Sequence, residues 1–169
     1  RGELPLRVIK NIPLEDMQNA LGIGLRSGFG DDYLRIGGIK IFTDGALGPR
    51  TAALMQPYQE EPQNLGELTL DFEQLYEIGC KAVRNGLHLA IHAIGDRANH
   101  EVLNAFARLR KYESLEKPDS VKGEKLLRHR VEHVQLLNPQ DFKRFAKLGI
   151  IASMPVSYTH LTLPTKRIV

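Results

Sequence analysis

Three side chains in this sequence have the type and placement to build a reactive centre: Lys40, His92 and His133. Each lies in or at the end of a short β-prone apolar run. Gly37-Gly38-Ile39-Lys40-Ile41-Phe42 holds the lysine between two isoleucines before breaking into Thr43-Asp44-Gly45. Leu87-His88-Leu89-Ala90-Ile91-His92 and Leu127-Arg128-His129-Arg130-Val131-Glu132-His133 each end in a histidine. Neutral imidazole is a common ligand for zinc and related metals. A lysine is seldom buried without a partner, and its ammonium is no ligand. Desolvated, the amine can capture carbon dioxide as a carbamate, an anionic two-oxygen group able to bridge two cations. Two cations roughly 3.5–4 Å apart would share a hydroxide and polarise a carbonyl. Plainer readings stand beside these: a hydrogen-bonded core histidine at a strand end, and an ion-paired or snorkelling lysine.

The neighbours divide in the same way. Asp44, Arg50 and Arg97 are candidates for substrate contact, but turn formation explains Asp44-Gly45, and Asp96-Arg97 suits a helix start. His88 lies four residues before His92, on the same strand face but deeper, and reads as structural; His129 stands in the same relation to His133. His100 reads as a residue on a solvated helix face. The single cysteine, Cys80, excludes an internal disulfide and fits a small buried apolar position.

Converging three strand ends requires particular elements between them. Leu6–Ile9 reads as a strand ended by Asn11-Ile12-Pro13, and Leu14, Met17 and Leu21 recur at helical spacing up to Gly22. The glycine-rich stretch from Gly22 to Gly38 lacks a phosphate-loop pattern and reads as connecting loop. Asp44 to Leu70, with Pro49, Pro57 and Pro62, reads as a long loop of the kind that is usually functional. A helix capped by Asp71 and stopped by Asn85-Gly86 precedes the His92 strand. A second helix starts at Gly95-Asp96 and gives way to a charged loop over Lys111–Lys125. After the His133 strand, Asn138-Pro139 opens a helix that closes at Leu148-Gly149, and Ile150–Ser153 begins another strand. Strand and helix alternating about four times, then a strand, predicts an α/β fold with a parallel sheet, either doubly wound or a (β/α)8 barrel. No strand-to-helix turn carries a dinucleotide fingerprint. In a barrel the C-terminal strand ends form the active face. The spacings, 52 residues from Lys40 to His92 and 41 from His92 to His133, each accommodate one strand–helix unit with loops.

Composition narrows the class further. A chain of 169 residues, 42% hydrophobic and 25% charged, can bury a single-domain core. The net charge of +3 comes from Lys and Arg dispersed among 20 acidic residues, which argues against a nucleic-acid partner. The longest apolar runs fall far short of the roughly 20 residues a membrane helix needs, and Arg1-Gly2-Glu3 does not begin a signal peptide. A cytoplasmic enzyme without a membrane partner is the expectation.

Three stretches, Lys40–Ala52, His92-Ala93-Ile94-Gly95-Asp96-Arg97-Ala98 and Arg130-Val131-Glu132-His133-Val134-Gln135, resemble successive signatures of amidohydrolase family 3, in its YtcJ-like branch, which includes N-substituted formamide deformylases. The resemblance runs in order from about Leu6 to Met154. It implies a metal-dependent amidohydrolase on a (β/α)8 TIM barrel, with this chain supplying about strands 3 to 7. By that resemblance Lys40, carboxylated in the family pattern, would be the fourth-strand metal ligand, and His92 and His133 the fifth- and sixth-strand ligands. The cofactor implied is a divalent metal, one or two zinc ions. The implied reaction is cleavage of a carbon–nitrogen bond, amide or formamide rather than peptide, in a small-molecule substrate by metal-activated water. An ester or cyclic-amide hydrolase and a non-catalytic binding barrel are the alternatives, and homodimerisation of a full-length protein is compatible with all three.

Two parts of the family pattern are missing: a His-x-His pair after the first strand, and a late aspartate that binds metal and serves as general base. No catalytic residue is therefore expected within the chain, the general base being expected beyond its C-terminal end. On this reading residues 1–154 are part of a catalytic barrel, inactive alone, whose arc of about five strands leaves two unpaired edges. Residues 155–169 resemble one reading frame of a sequencing adapter and are expected to be a non-native tail, which removes His160 from the ligand candidates.

Overall fold

The computed structural model describes residues 6–115 and 127–154. The expected non-native tail, residues 155–169, lies outside the described residues. Strands β1 (Val8–Pro13), β2 (Leu34–Phe42), β3 (Leu89–Ala93), β4 (Arg130–His133) and β5 (Ile151–Ser153) pair in that order. Every pairing is parallel. Between them lie α1 (Met17–Gly22), α2 (Phe72–Arg84), α3 (Asp96–Leu115) and α4 (Phe142–Leu148), the first and last entered through single 3₁₀ turns. The alternation and strand order make this the arc of a (β/α)8 barrel.

Strand periodicity separates the two sheet faces. Ile39, Ile41, Leu89, Ile91 and Val131 are fully buried and belong to one core cluster with Leu75, Val83, Val102, Phe106 and Leu109 from α2 and α3. Five or more such side chains, each stabilising by about 1.5–3 kcal/mol on burial, hold the helical layer to the sheet. Lys40, Ala90 and Arg130 are in register across β2, β3 and β4, as are Phe42, His92 and Glu132. Alternation therefore places the lysine and His92 together on the opposite, lumen face.

Local chemistry explains the element ends. The Asp71 side chain, the cap expected for α2, accepts the Gln74 N–H, and the Gln74 side chain in turn accepts the Asp71 N–H. Gly149, left-handed at φ 61°, closes α4. Three boundaries differ from the sequence reading. The first strand extends through Pro13, which is tolerated because β1 is the edge strand of the described sheet. The supposed loop up to Gly38 is strand from Leu34 onward: a Cβ on Gly37 would lie 2.1 Å from Asn11 Oδ1, and one on Gly38 would lie 2.2 Å from the His88 carbonyl oxygen. These glycines are there for close approach, not for a turn. The helix expected to stop near Lys111 continues to Leu115, because Tyr112 and Glu113 are buried on it. The rest of the expected charged loop, 116–125, falls outside the described residues.

Candidate functional site

Lys40, His92 and His133 all lie toward the C-terminal ends of adjacent strands, β2, β3 and β4. The His92 and His133 rings meet edge-on with centroids 4.7 Å apart, and Phe42 packs against His92 at 5.1 Å. Lys40 Nζ stands 4.1 Å above the Phe42 ring. Strict alternation from Val131 would turn His133 toward the helices. Instead the backbone becomes left-handed at His133 and Val134, with φ 78° and 48°. Left-handed geometry is strained for a β-branched valine and persists only where surrounding contacts impose it. It marks the point where the chain leaves strand geometry and the imidazole reaches His92.

Nζ of Lys40 is buried with no hydrogen-bond partner among the described residues. Burial depresses its pKa, the Glu132 carboxylate opposes that, and the Arg130 guanidinium adds to it. Glu132 is itself paired with Arg130, Nε to Oε1 at 2.6 Å, which diverts its charge from the lysine. His133 is likewise held below the usual imidazole range, by burial first and then by His92 and Lys40. Lys40 and His133 are thus both biased toward their neutral, electron-donating forms. His92 Nε2 lies 2.8 Å from the Gly45 carbonyl oxygen. A carbonyl only accepts, so Nε2 carries the proton and Nδ1 carries the lone pair.

Asp44, 4% exposed, is engaged by the backbone on all sides. Its Oδ1 accepts the Ile94 N–H at 3.0 Å, and Oδ2 accepts those of Ala53 at 3.0 Å and Gly95 at 2.8 Å. His92 Nε2 is a further 3.4 Å from Oδ1. Thr43 Oγ1 donates to the His92 carbonyl at 2.6 Å. Sequence reading treated Asp44 as a turn residue or substrate contact; its partners are backbone groups 9, 50 and 51 positions away and have no local signature.

The long loop is a strap with antiparallel legs. Backbone bonds join Thr69 to Thr43, Glu67 to Thr51, Leu54 to Leu65 and Tyr58 to Asn64. One of its residues, Ala53, passes between Asp44 and α3: its N–H goes to Asp44, and its carbonyl accepts the Arg97 and Ala98 N–H groups. That carbonyl supplies the capping acceptors a helix start needs. Asp96 adds another tie by accepting the Met55 N–H at 2.9 Å. Of the other substrate-contact candidates, Arg50 is bound within the strap to Glu60 and Glu61, while the Arg97 side chain is exposed.

The other histidines among the described residues, His88, His100 and His129, lie apart from this group. His129 is wholly buried, and its Nδ1 accepts the Leu89 N–H at 3.0 Å. His88 is half-buried, its pKa pushed down to about 4 by burial and by the neighbouring His129, Arg130 and Arg128. His100 is partly solvated on its helix face, with its side chain 38% exposed, and its Nδ1 is 2.9 Å from Oδ2 of the buried Asp141, joining α3 to the start of α4.

A parallel barrel arc with nitrogen donors gathered at its C-terminal edge defines a class, the (β/α)8 metal-dependent hydrolase fold. Solved structures of that class superimpose on it. Uncharacterized metal-dependent hydrolases of Pyrococcus furiosus and Pyrococcus horikoshii give TM-scores of 0.75 and 0.73, at 31% and 34% identity; each match covers 90% of this chain and 29% and 28% of theirs. The sequence pattern of the amidohydrolase family matches residues 1–166, and the chain belongs to that family. It is 34% identical over 153 residues to Protein LONG AFTER FAR-RED 3 of Arabidopsis thaliana, covering 90% of this chain and 25% of that protein. It is 37% identical over 133 residues to the putative amidohydrolase YtcJ of Bacillus subtilis, covering 78% of this chain and 23% of that one. The chain therefore spans about a quarter of the length of these relatives.

Proposed function

We propose that the chain is the central part of a metal-dependent amidohydrolase that cleaves a carbon–nitrogen bond in a small-molecule amide or formamide, with Lys40, His92 and His133 holding one or two zinc ions. The supporting observation is the buried Lys40 amine without a hydrogen-bond partner, on a strand beside two edge-packed imidazoles. Among the described residues no three His, Cys, Asp or Glu side chains gather as a metal site, so the lysine is the third donor that this segment offers. Two imidazoles and an amine or its carbamate suit a borderline cation. When bound, the metal supplies an acidified water and a Lewis acid for the carbonyl.

The chain's own residues prepare that chemistry. Gly45 fixes the His92 tautomer so that Nδ1 is the donor. Burial of Lys40 favours the free amine, which adds carbon dioxide to give a carbamate and releases a proton. Cytoplasmic location accompanies the same reading; among the described residues no helix is long and apolar enough to cross a membrane.

The test is zinc content and amide hydrolysis in a full-length protein carrying this segment. Lys40→Ala should lower both together, with partial return on adding bicarbonate or a short carboxylate. Lys40→Arg should not restore them, because guanidinium remains cationic. His92→Ala and His133→Ala should lower zinc content too. Full zinc occupancy with near-normal turnover in Lys40→Ala would sink the ligand assignment.

A further inference from the structure

Behind the two histidine-bearing strand ends sits a buried amide that the proposed chemistry does not use. Asn99, in the first turn of α3, is 0% exposed. Its Nδ2 lies 2.9 Å from the Gly95 carbonyl oxygen, 3.0 Å from that of Leu136 and 3.3 Å from that of Ala93. Ala93 directly follows His92 and is in register with His133; Leu136 lies three residues beyond His133. The same two segments also exchange backbone bonds, Val134 N–H to Ala93 and Leu136 N–H to Ile94. One amide group therefore spans the turns that leave both strands, beside the left-handed pair His133–Val134. Asn99 Oδ1 is buried with no hydrogen-bond partner among the described residues. Flipping the amide would turn that oxygen toward three carbonyls, so an unmet acceptor persists in order to keep the donors in place.

We propose that Asn99 is a positioning residue that fixes the separation of the His92 and His133 imidazoles by clamping the Gly95 and Leu136 carbonyls, and thereby sets the metal affinity of the pair. The inference rests on the reading of those histidines as ligands, and its test separates the two. Backbone carbonyls cannot re-aim themselves, and the strained His133–Val134 turn needs external contacts to persist. Without the clamp, the turn relaxes and the rings move apart.

The isotope-labelled chain is examined by NMR for contacts between the His92 and His133 ring protons, and its zinc affinity is measured by competition with a chromophoric chelator. Asn99→Asp keeps the side-chain shape but replaces the donors with an anion; Asn99→Ala introduces no charge and serves where the first does not fold. Asn104→Ala is the control, since Asn104 also lies on α3 but binds Arg144 at 2.8 Å. At denaturant concentrations giving equal folded fractions, the Asn99 variants should lose the inter-ring contact and weaken zinc binding about tenfold or more, while Asn104→Ala stays within about twofold. Asn99 variants that keep the ring contact overturn the inference, whatever the zinc result. A wild-type chain that shows the ring contact but binds zinc no better than His92→Ala overturns the ligand reading, while the ring contact in the variants still decides the role of Asn99.

Discussion

Replacing Asp44 by asparagine tests whether its carboxylate holds the site together through the backbone. The three N–H groups it accepts divide unevenly, Ile94 on Oδ1 and Ala53 with Gly95 on Oδ2. Asparagine has one acceptor oxygen. In the better orientation it keeps the Ala53 and Gly95 bonds and turns an NH₂ group against the Ile94 N–H. One bond is then lost, a donor faces a donor, and the two that survive are no longer charge-assisted. With charge-assisted bonds contributing about 1.5–3 kcal/mol each, the expected loss is about 2–4 kcal/mol. Asp44→Ala would strand three buried N–H groups, a loss of about 5 kcal/mol that approaches the whole stability of an ordinary domain. Urea denaturation followed by far-ultraviolet circular dichroism measures the difference, and hydrogen exchange locates it: the Ile94 amide should exchange faster than those of Ala53 and Gly95. No substrate or metal enters either measurement. Asp44→Asn with a stability within about 0.5 kcal/mol of wild type would refute the reasoning, since that is the range of an inconsequential surface change.

Two further perturbations check other parts of the structure. A Cβ at Gly95 would sit 1.9 Å from the Ala53 carbonyl oxygen and 2.8 Å from its nitrogen, so Gly95→Ala must push the strap away, whereas Gly22 has nothing within 4 Å. Thermal denaturation should show Gly95→Ala destabilised by about 1–3 kcal/mol and Gly22→Ala unchanged or slightly stabilised; equal behaviour would count against the strap contact. Acid sensitivity should follow from His88 and His129, whose folded pKa values both lie below the ordinary 6.5, chiefly through burial. The unfolded chain takes up these protons first, so the stability is present above about pH 6.5 and is lost as pH falls from there toward about 4, the folded value of His88. Urea midpoints should drop between pH 7.5 and 5 and drop less in His88→Gln; a flat profile would contradict the assignment.

The sequence was most legible where partners are close along the chain. The Asp71–Gln74 cap, the Asn85-Gly86 stop and the Gly149 terminus are written in three or four consecutive residues. The ends bearing Lys40, His92 and His133 were legible for another reason: a polar group repeated at the close of apolar runs is a periodic signal. Gly37 and Gly38 misled because glycine marks both turns and close approaches, and only Asn11 and His88, distant in sequence, decide between them. The tie from His100 to Asp141 went unseen because Asp141 lies on another element. The roles of Asp44 and Asn99 were hidden most deeply, since their partners are backbone groups, which have no sequence identity.

The ladder within the strap has a consequence for how such a chain can diversify. Its inner rungs fix residues 51–53 against Asp44 and α3, but beyond the Tyr58–Asn64 rung the chain touches neither the sheet nor α3 through any backbone bond among the described residues. Lengthening or recomposing the tip between those residues leaves untouched the backbone bonds that tie Ala53 to Asp44 and to the start of α3, just beyond His92. The tip is thus a peninsula whose isthmus is fixed, a place where length and composition can change at little cost to the geometry beneath.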